Sequence, residues 1–262
     1  MGHWYSKDGV LMHRVEGAKG QQVEPDLRHA RKLNLAPGVT SIIKMAASEA
    51  LVQYRERQVL MAALTLPRDV GESDEAYCAR VMRDSKVHAE KAAQHGTDIH
   101  STIEHNINDL RCQDAWVVAA RQALEQACGQ QVWSCERGVV SEWGFATKSD
   151  LSTMGKGDAW VVDVKTKDGP LDEVKTYDDH AMQLAATRQA LGWDVGSMPA
   201  QAGILFVRRD QPEARFVVLE QDQLGRGWRL FSALLEFWQV KNRYAPEWAW
   251  PSSSTWNTGG KL

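Results

Sequence analysis

Residues 145–167 read FATKSDLSTMGKGDAWVVDVKTK, and the fold turns on how this stretch is paired. Trp160, Val161, Val162 and Val164 form a near-continuous apolar run, which a strand covered on both faces requires, so the segment is expected at the centre of a sheet. Strand alternation sends Asp163 and Lys165 to one face and Val162 and Val164 to the other. The Gly-Lys-Gly at 155–157 lies midway between Asp150 and Asp163. A hairpin through it sets the two carboxylates nearly opposite each other, where they repel unless a cation stands between them. A surface salt bridge is the plain alternative for an Asp-x-Lys triplet. The central position of the strand argues against it, because a buried charge pair is costly without a use.

Two carboxylates converging from neighbouring strands are hard oxygen ligands suited to Mg2+ or Mn2+, and the Val164 carbonyl can add a third oxygen. A metal so held polarises a phosphate and lowers the pKa of bound water. Lys165 then has a task, either orienting and activating the attacking water or neutralising charge that builds on the phosphate. Asp158 competes with Asp150 for the hairpin position, but it falls at the turn, and strand pairing favours Asp150. His100 lies in GTDIHSTIE, on a helix whose other side carries Ile99, Ile103 and Ile107. It shares its side with Glu104 at i+4, so that side can complete a metal site; an ordinary hydrogen-bonded helix histidine is the alternative.

Outward from this centre, HWYSKDGVLMHRV carries an Asp8-Gly9 turn signal between two short β-forming runs and reads as a hairpin arm. One helix is expected from a cap at Thr40 or Ser41 to just before Pro67, and a second from about Glu72 through Lys91, with Gly96 marking a break or a tight helix contact. From Val132 onward β-branched and aromatic residues with Gly-rich turns predict antiparallel strands. A helix follows in DDHAMQLAATRQALGW, strands in AGILFVRR and ARFVVLE, and an amphipathic helix with Leu224, Trp228, Phe231, Leu235 and Trp238. The expected division is an N-terminal arm over 1–36, one α/β domain over 37–245, and a tail over 246–262 rich in Trp, Ser and Gly, expected to be mobile unless its tryptophans dock.

The 262 residues are 43% hydrophobic and 25% charged, proportions of a globular chain and not a disordered one. No apolar run approaches the roughly 20 residues that span a bilayer, and MGHWYSKDG lacks the order of a signal peptide, so a cytoplasmic home without membrane association is expected. Cys78, Cys112, Cys128 and Cys135 contain no CxxC pair and are expected as free buried thiols in helical segments. The net charge of −3 argues against indiscriminate DNA coating and leaves a metal-assisted nuclease open.

Gly96 to His100, Asp150, Asp163 to Lys165, and Gln183 in MQLAAT occur in the order found in the RecB-like branch of the PD-(D/E)xK nuclease superfamily, which the chain resembles from about Pro37 to Tyr244. The likeness is to phage-encoded exonucleases and to the mitochondrial genome-maintenance exonuclease. It extends to PGVTSII, similar to the family's PSVTTIL, and to the KDG hairpin followed by DLRHARKLNL. The resemblance implies an α/β, restriction-endonuclease-like core, a central mixed sheet flanked by helices, with an N-terminal helical region. It implies His100, Asp150, Asp163 and the Val164 carbonyl as metal ligands, Lys165 as the catalytic lysine, and Gln183 as a residue that positions the site or substrate. Two departures stand out: Thr147 where the family has Gly shortly before the hairpin Asp, and Thr187 where it has Tyr four residues after the Gln. Some members hold an iron–sulfur cluster with one cysteine before the core and three after it. All four cysteines here precede Lys165, so no cluster is expected.

The expected activity is metal-dependent hydrolysis of DNA phosphodiesters by an exonuclease acting on single strands or duplex ends, in phage recombination or replication, with a recombination or annealing protein as a possible partner. A structure-specific or restriction-like endonuclease, or a catalytically silent nucleic-acid-binding module of the same fold, are the alternatives. Lys148, Lys167, Lys175, Arg188, Arg208 and Arg209 are candidates to track a phosphate backbone, and Trp133, Trp143, Trp160 and Trp193 to stack bases. Glu104, Glu142 and Tyr177 are marginal candidates for a supporting role around the metal.

Overall fold

The computed structural model describes residues 3–46, 49–153, 159–193 and 200–249, without the side chains of 49–51 and 88–93. The Gly-Lys-Gly turn, Asp158 and residues 250–262 lie outside the described residues. Five strands form the central sheet: β5 (Trp133–Ser141), β6 (Phe145–Thr153), β7 (Trp160–Lys167), β8 (Gln201–Arg208) and β9 (Ala214–Leu219), in that spatial order. The sheet is mixed, because β7 and β8 are parallel and the other neighbours antiparallel. The parallel pair needs a crossover, and α6 (Asp178–Ala190) supplies it.

Alternation along β7 divides the core. Trp160, Val162 and Val164 pack with Ile99 and Ile103 of α4 (Asp74–Asn106), with Ile107 at its C-cap, and with Val117, Ala120 and Leu124 of α5 (Ala115–Cys128). Val161 packs with Ala181 and Leu184 of α6 and Leu224 of α7 (Gln221–Asn242). Helices therefore cover both faces, and β7 is buried from Trp160 through Val164, as its apolar run requires. Two helix contacts are made through glycine. A Cβ on Gly227 of α7 would stand 2.4 Å from the carbonyl oxygen of Ala181 on α6, and one on Gly96 of α4 would stand 2.3 Å from Thr166 Oγ1 on β7. Gly96 is thus a close-approach point inside one unbroken 33-residue helix, not a break in it.

The helix expected from 40 to 66 is two helices, α2 (Val39–Ile43) and α3 (Glu49–Thr65). Its expected cap is also corrected: Gly38 is the N-cap, and the Ser41 hydroxyl accepts the N–H of His3 instead. Tertiary packing separates the halves. Val39 and Ile42 are buried with α6 and α7, whereas α3 leaves the core to lie along α4 with Leu60, Met61 and Leu64 exposed. A short helix, α1 (Leu27–Leu33), is capped by Asp26, which accepts the N–H of His29.

The N-terminal segment folds as a hairpin: Ser6 N–H meets Val10 O, Met12 N–H meets Trp4 O, and Gly9 turns at φ +79. Its first strand, β1 (Trp4–Tyr5), pairs with β4 (Ala36–Pro37), and the small ladder β2 (Val15–Glu16) with β3 (Gln22–Val23) follows. Part of the tail docks: Glu247 N–H bonds Asn34 Oδ1, and Trp248 packs against the cluster of Tyr5, Ala36 and Ala146. The cysteines differ from expectation. All are free, but Cys78 is exposed, the other three are half-buried, and Cys135 lies on β5. Burial pushes the Cys128 thiol up to about 12.

Because backbone and not a side-chain tip opposes Gly227, that contact cannot relax by rotation. Gly227→Ala is expected to destabilise the protein by about 1–3 kcal/mol, the usual cost of overpacking, read as a lower urea midpoint with unchanged slope.

Candidate metal centre

The β6–β7 ladder holds at Leu151↔Val162 and Ser152↔Val161. One step further the same register sets Asp150 against Asp163. Here backbone pairing gives way: the N–H of Val164 donates to Asp150 Oδ2 at 2.8 Å. The Asp150 carboxylate thus stands in the fork where β6 leaves β7. From α4, His100 Nε2 reaches 3.4 Å from Asp150 Oδ2 and 3.0 Å from Glu104 Oε1. One ligand atom from each of His100, Glu104 and Asp150 lies within 4.8 Å of the others, a grouping that fits a divalent cation.

Asp163 and Lys165 share a face of β7, and Lys165 Nζ stands 2.7 Å from Asp163 Oδ2. Gln183 of α6 completes this side, donating from Nε2 to Asp163 Oδ1 at 2.6 Å and accepting from Lys165 Nζ at 3.5 Å. Asp163 Oδ2 is buried against the Lys165 ammonium. That contact occupies one lone pair of the oxygen and leaves the other for a ligand. Among the described residues the close trio is His100, Glu104 and Asp150. Asp163 lies beside it with its side chain turned to Lys165 and Gln183, and the Val164 N–H donates to Asp150.

The two carboxylates differ in proton affinity. Burial pushes the Asp163 carboxyl up to about 7, the neighbouring Asp150 charge adding to the rise and Lys165 opposing it. Burial also disfavours ionised Asp150, but the hydrogen bond and charge of His100, with the Val164 N–H, outweigh it and hold that carboxyl below its usual value. Burial works against the His100 imidazolium too, yet the bonds to Asp150 and Glu104 carry its pKa to about 10. Lys165 is raised although burial opposes it, since Asp163 and Asp150 favour its charge. Without metal the centre is thus a network in which Asp150 is ionised, His100 and Lys165 are protonated, and Asp163 titrates near neutrality.

Glu104, given only a marginal role from sequence, is buried inside the trio; its i+4 spacing from His100 was the available signal. Glu142 and Tyr177 are exposed, the first in the β5–β6 turn and the second at the start of α6. Thr147 Oγ1 and Thr187 Oγ1 are 3.0 Å apart and buried, joining β6 to α6 one turn beyond Gln183. Sequence gave no sign of Glu136, which adopts φ +51 within β5, in register opposite Asp150, and pairs with Lys148.

The residues expected to contact nucleic acid fall in different surroundings. Arg188 is buried, its Nη1 donating to Ala200 O and Gln221 Oε1. Arg208 is held by Asp210 and Glu213, and Arg209 by Asp168. Trp133 and Trp160 are core residues, and Trp193 is half-buried against the α6 side of the core. Trp143 keeps 40% of its surface exposed while its edge packs on Trp228. Lys148, Lys167 and Lys175 stay at least partly accessible.

No family model matches the chain. No curated protein sequence matches it either. Among solved structures it is similar to that of SSO0001, with 11% identity, 76% of this chain and 90% of the other covered, and a TM-score of 0.31. It is also similar to LHK-Exo in complex with dAMP, with 12% identity, 71% of this chain and 88% of the other covered, and a TM-score of 0.36.

Proposed function

We propose that this chain is a divalent-metal-dependent deoxyribonuclease of the PD-(D/E)xK type, RecB-like, hydrolysing phosphodiester bonds as an exonuclease. The observation that carries the reading is the buried Asp163 carboxylate, paired with Lys165 at 2.7 Å and bonded by Gln183, next to the His100–Glu104–Asp150 group. Buried charges of this kind are expensive and add little to stability, so their concentration at one fork points to chemistry.

The donor set of one imidazole and several carboxylates suits Mg2+ or Mn2+, with His100, Glu104, Asp150 and Asp163 as the residues that would hold the ion. When bound, the ion supplies Lewis-acid polarisation of the phosphate and a more acidic water. The protein's own residues do the rest. The raised pKa of Lys165 keeps it cationic at neutral pH, so its task is to offset charge on the phosphate and orient water rather than to accept a proton. Gln183 fixes the Asp163 carboxylate and approaches Lys165, preventing both from rotating out of the site. His100 and the Val164 N–H hold Asp150 ionised, and the N–H fixes its place. The PD-(D/E)xK reading rests on this geometry together with the motif order of the sequence.

Lys165→Ala is expected to lower cleavage by on the order of 100-fold or more, the scale of losing a group that stabilises developing charge, with DNA binding retained. The check is digestion of end-labelled single-stranded, duplex and closed circular DNA with Mg2+, Mn2+ or EDTA. An exonuclease leaves circles intact, and cut circles would move the reading to an endonuclease. Absence of cleavage of any of them would leave a binding module.

Metal binding has a definite pH dependence. A metal on His100 must displace its proton at any pH below about 10, and one on Asp163 displaces a second proton below about 7. Mn2+ affinity should therefore weaken as pH falls, more steeply below neutrality. Calorimetry in Tris and in a sulfonate buffer should show about one proton released per ion at alkaline pH and about two in mild acid. No release under either condition would remove His100 from the ligand set.

A further inference from the structure

The N-terminal hairpin packs close beside the metal centre, and a pair of glycines lets it do so. Gly138 on β5 is the direct cross-strand partner of Lys148 on β6. A Cβ on Gly138 would stand 2.1 Å from the carbonyl oxygen of Gly9, so the hairpin tip occupies the place of the missing side chain, alongside Lys148. Lys148 lies two residues before Asp150 on β6. At its base the hairpin is fixed to the start of α2: Gly38 N–H donates to His3 O, and His3 N–H donates to Ser41 Oγ. Gly38 also bridges Ala146 on β6, two residues before Lys148, so the short helix α2 that follows, with Lys44 exposed at its end, starts beside the same strand.

Three elements remote in sequence thereby gather their cations. The His3 imidazole is pushed below its ordinary value by burial and by the charges of Lys44, His13 and Lys148. Like charges brought together without function repel, and fold stability gains nothing from collecting them here. Lys44 has no ion-pair partner among the described residues, whereas Lys148 is engaged by Glu136, the residue with the left-handed backbone opposite Asp150. A carboxylate in that position holds the ammonium near the centre and can be exchanged for a phosphate oxygen.

We propose that Lys44 and Lys148, brought together by the N-terminal hairpin, form a cationic rim that binds the phosphates of a single polynucleotide strand next to the one at the metal centre, with Glu136 holding Lys148 until a strand arrives. This rests on the nuclease reading for its choice of polyanion, but its test does not require cleavage.

The test is anisotropy of a fluorescein-labelled single-stranded oligonucleotide, titrated with protein over a range of NaCl concentrations with Ca2+ in place of Mg2+. Each single-strand phosphate contact contributes about 0.7 to the slope of log K against log salt. Lys44→Ala with Lys148→Ala should therefore lower the slope by about 1.4, and each single variant by about half of that. Lys148→Arg should restore the wild-type slope, and Lys86→Ala, on the exposed surface of α4, should leave it unchanged. Glu136→Gln should tighten binding by freeing Lys148. A double variant with the wild-type slope, or a Glu136→Gln variant that binds no more tightly, overturns the rim. Failure of the nuclease reading looks different: the wild type would not cleave DNA with Mg2+ or Mn2+, while the slope loss would persist.

Discussion

Asp150 Oδ2 accepts the N–H of Val164 at 2.8 Å where an uninterrupted ladder would place strand backbone. That single bond does two jobs. It satisfies a backbone donor at the point where β6 leaves β7, and it fixes an ionised carboxylate inside the fork instead of on the surface. His100 and Glu104 can then meet it from α4, while Asp163, Lys165 and Gln183 meet beside it. Without the fork these groups would belong to separate surfaces of the sheet.

Such a concentration of charge is a poor way to stabilise a fold, because desolvation of buried ions offsets most of their attraction. The stability of the surrounding layers comes from apolar packing on both faces of β7, with Ile99, Ile103 and Ile107 on one side and Ala181, Leu184 and Leu224 on the other. Those layers hold the polar centre in its unfavourable arrangement. Gly96 and Gly227 set how closely α4 meets the sheet and α7 meets α6.

The buried contact between Thr147 and Thr187 ties β6 to α6. Together they form a hydroxyl pair between β6 and α6 that leaves Gln183, one turn earlier, in contact with Asp163 and Lys165. The N-terminal hairpin is fixed in a similar way, through Gly9 on Gly138 and through the strand formed by Trp4 and Tyr5 with Ala36 and Pro37.

Much of this was legible in the chain itself, because the signals are local. The apolar run at Trp160–Val164 demanded a covered strand, period-2 alternation put Asp163 beside Lys165, and i+4 spacing put His100 beside Glu104. The strands after Val132 and the crossover helix carrying Gln183 follow from the same periodicities. Local signals could not show that α2 and α3 part, since α2 packs on α6 and α7 while α3 lies along α4. Nor could they tell Arg188, buried and bonded to Ala200 and Gln221, from a surface arginine, or show that Glu136 takes a left-handed backbone opposite Asp150. The sequence by itself determined which side chains share a strand face or a helix face, because backbone geometry alone sets that. Only the tertiary structure decided which faces meet at the β6–β7 fork and which cations the N-terminal hairpin brings to it, because those contacts join residues far apart in the chain and depend on how closely whole elements pack.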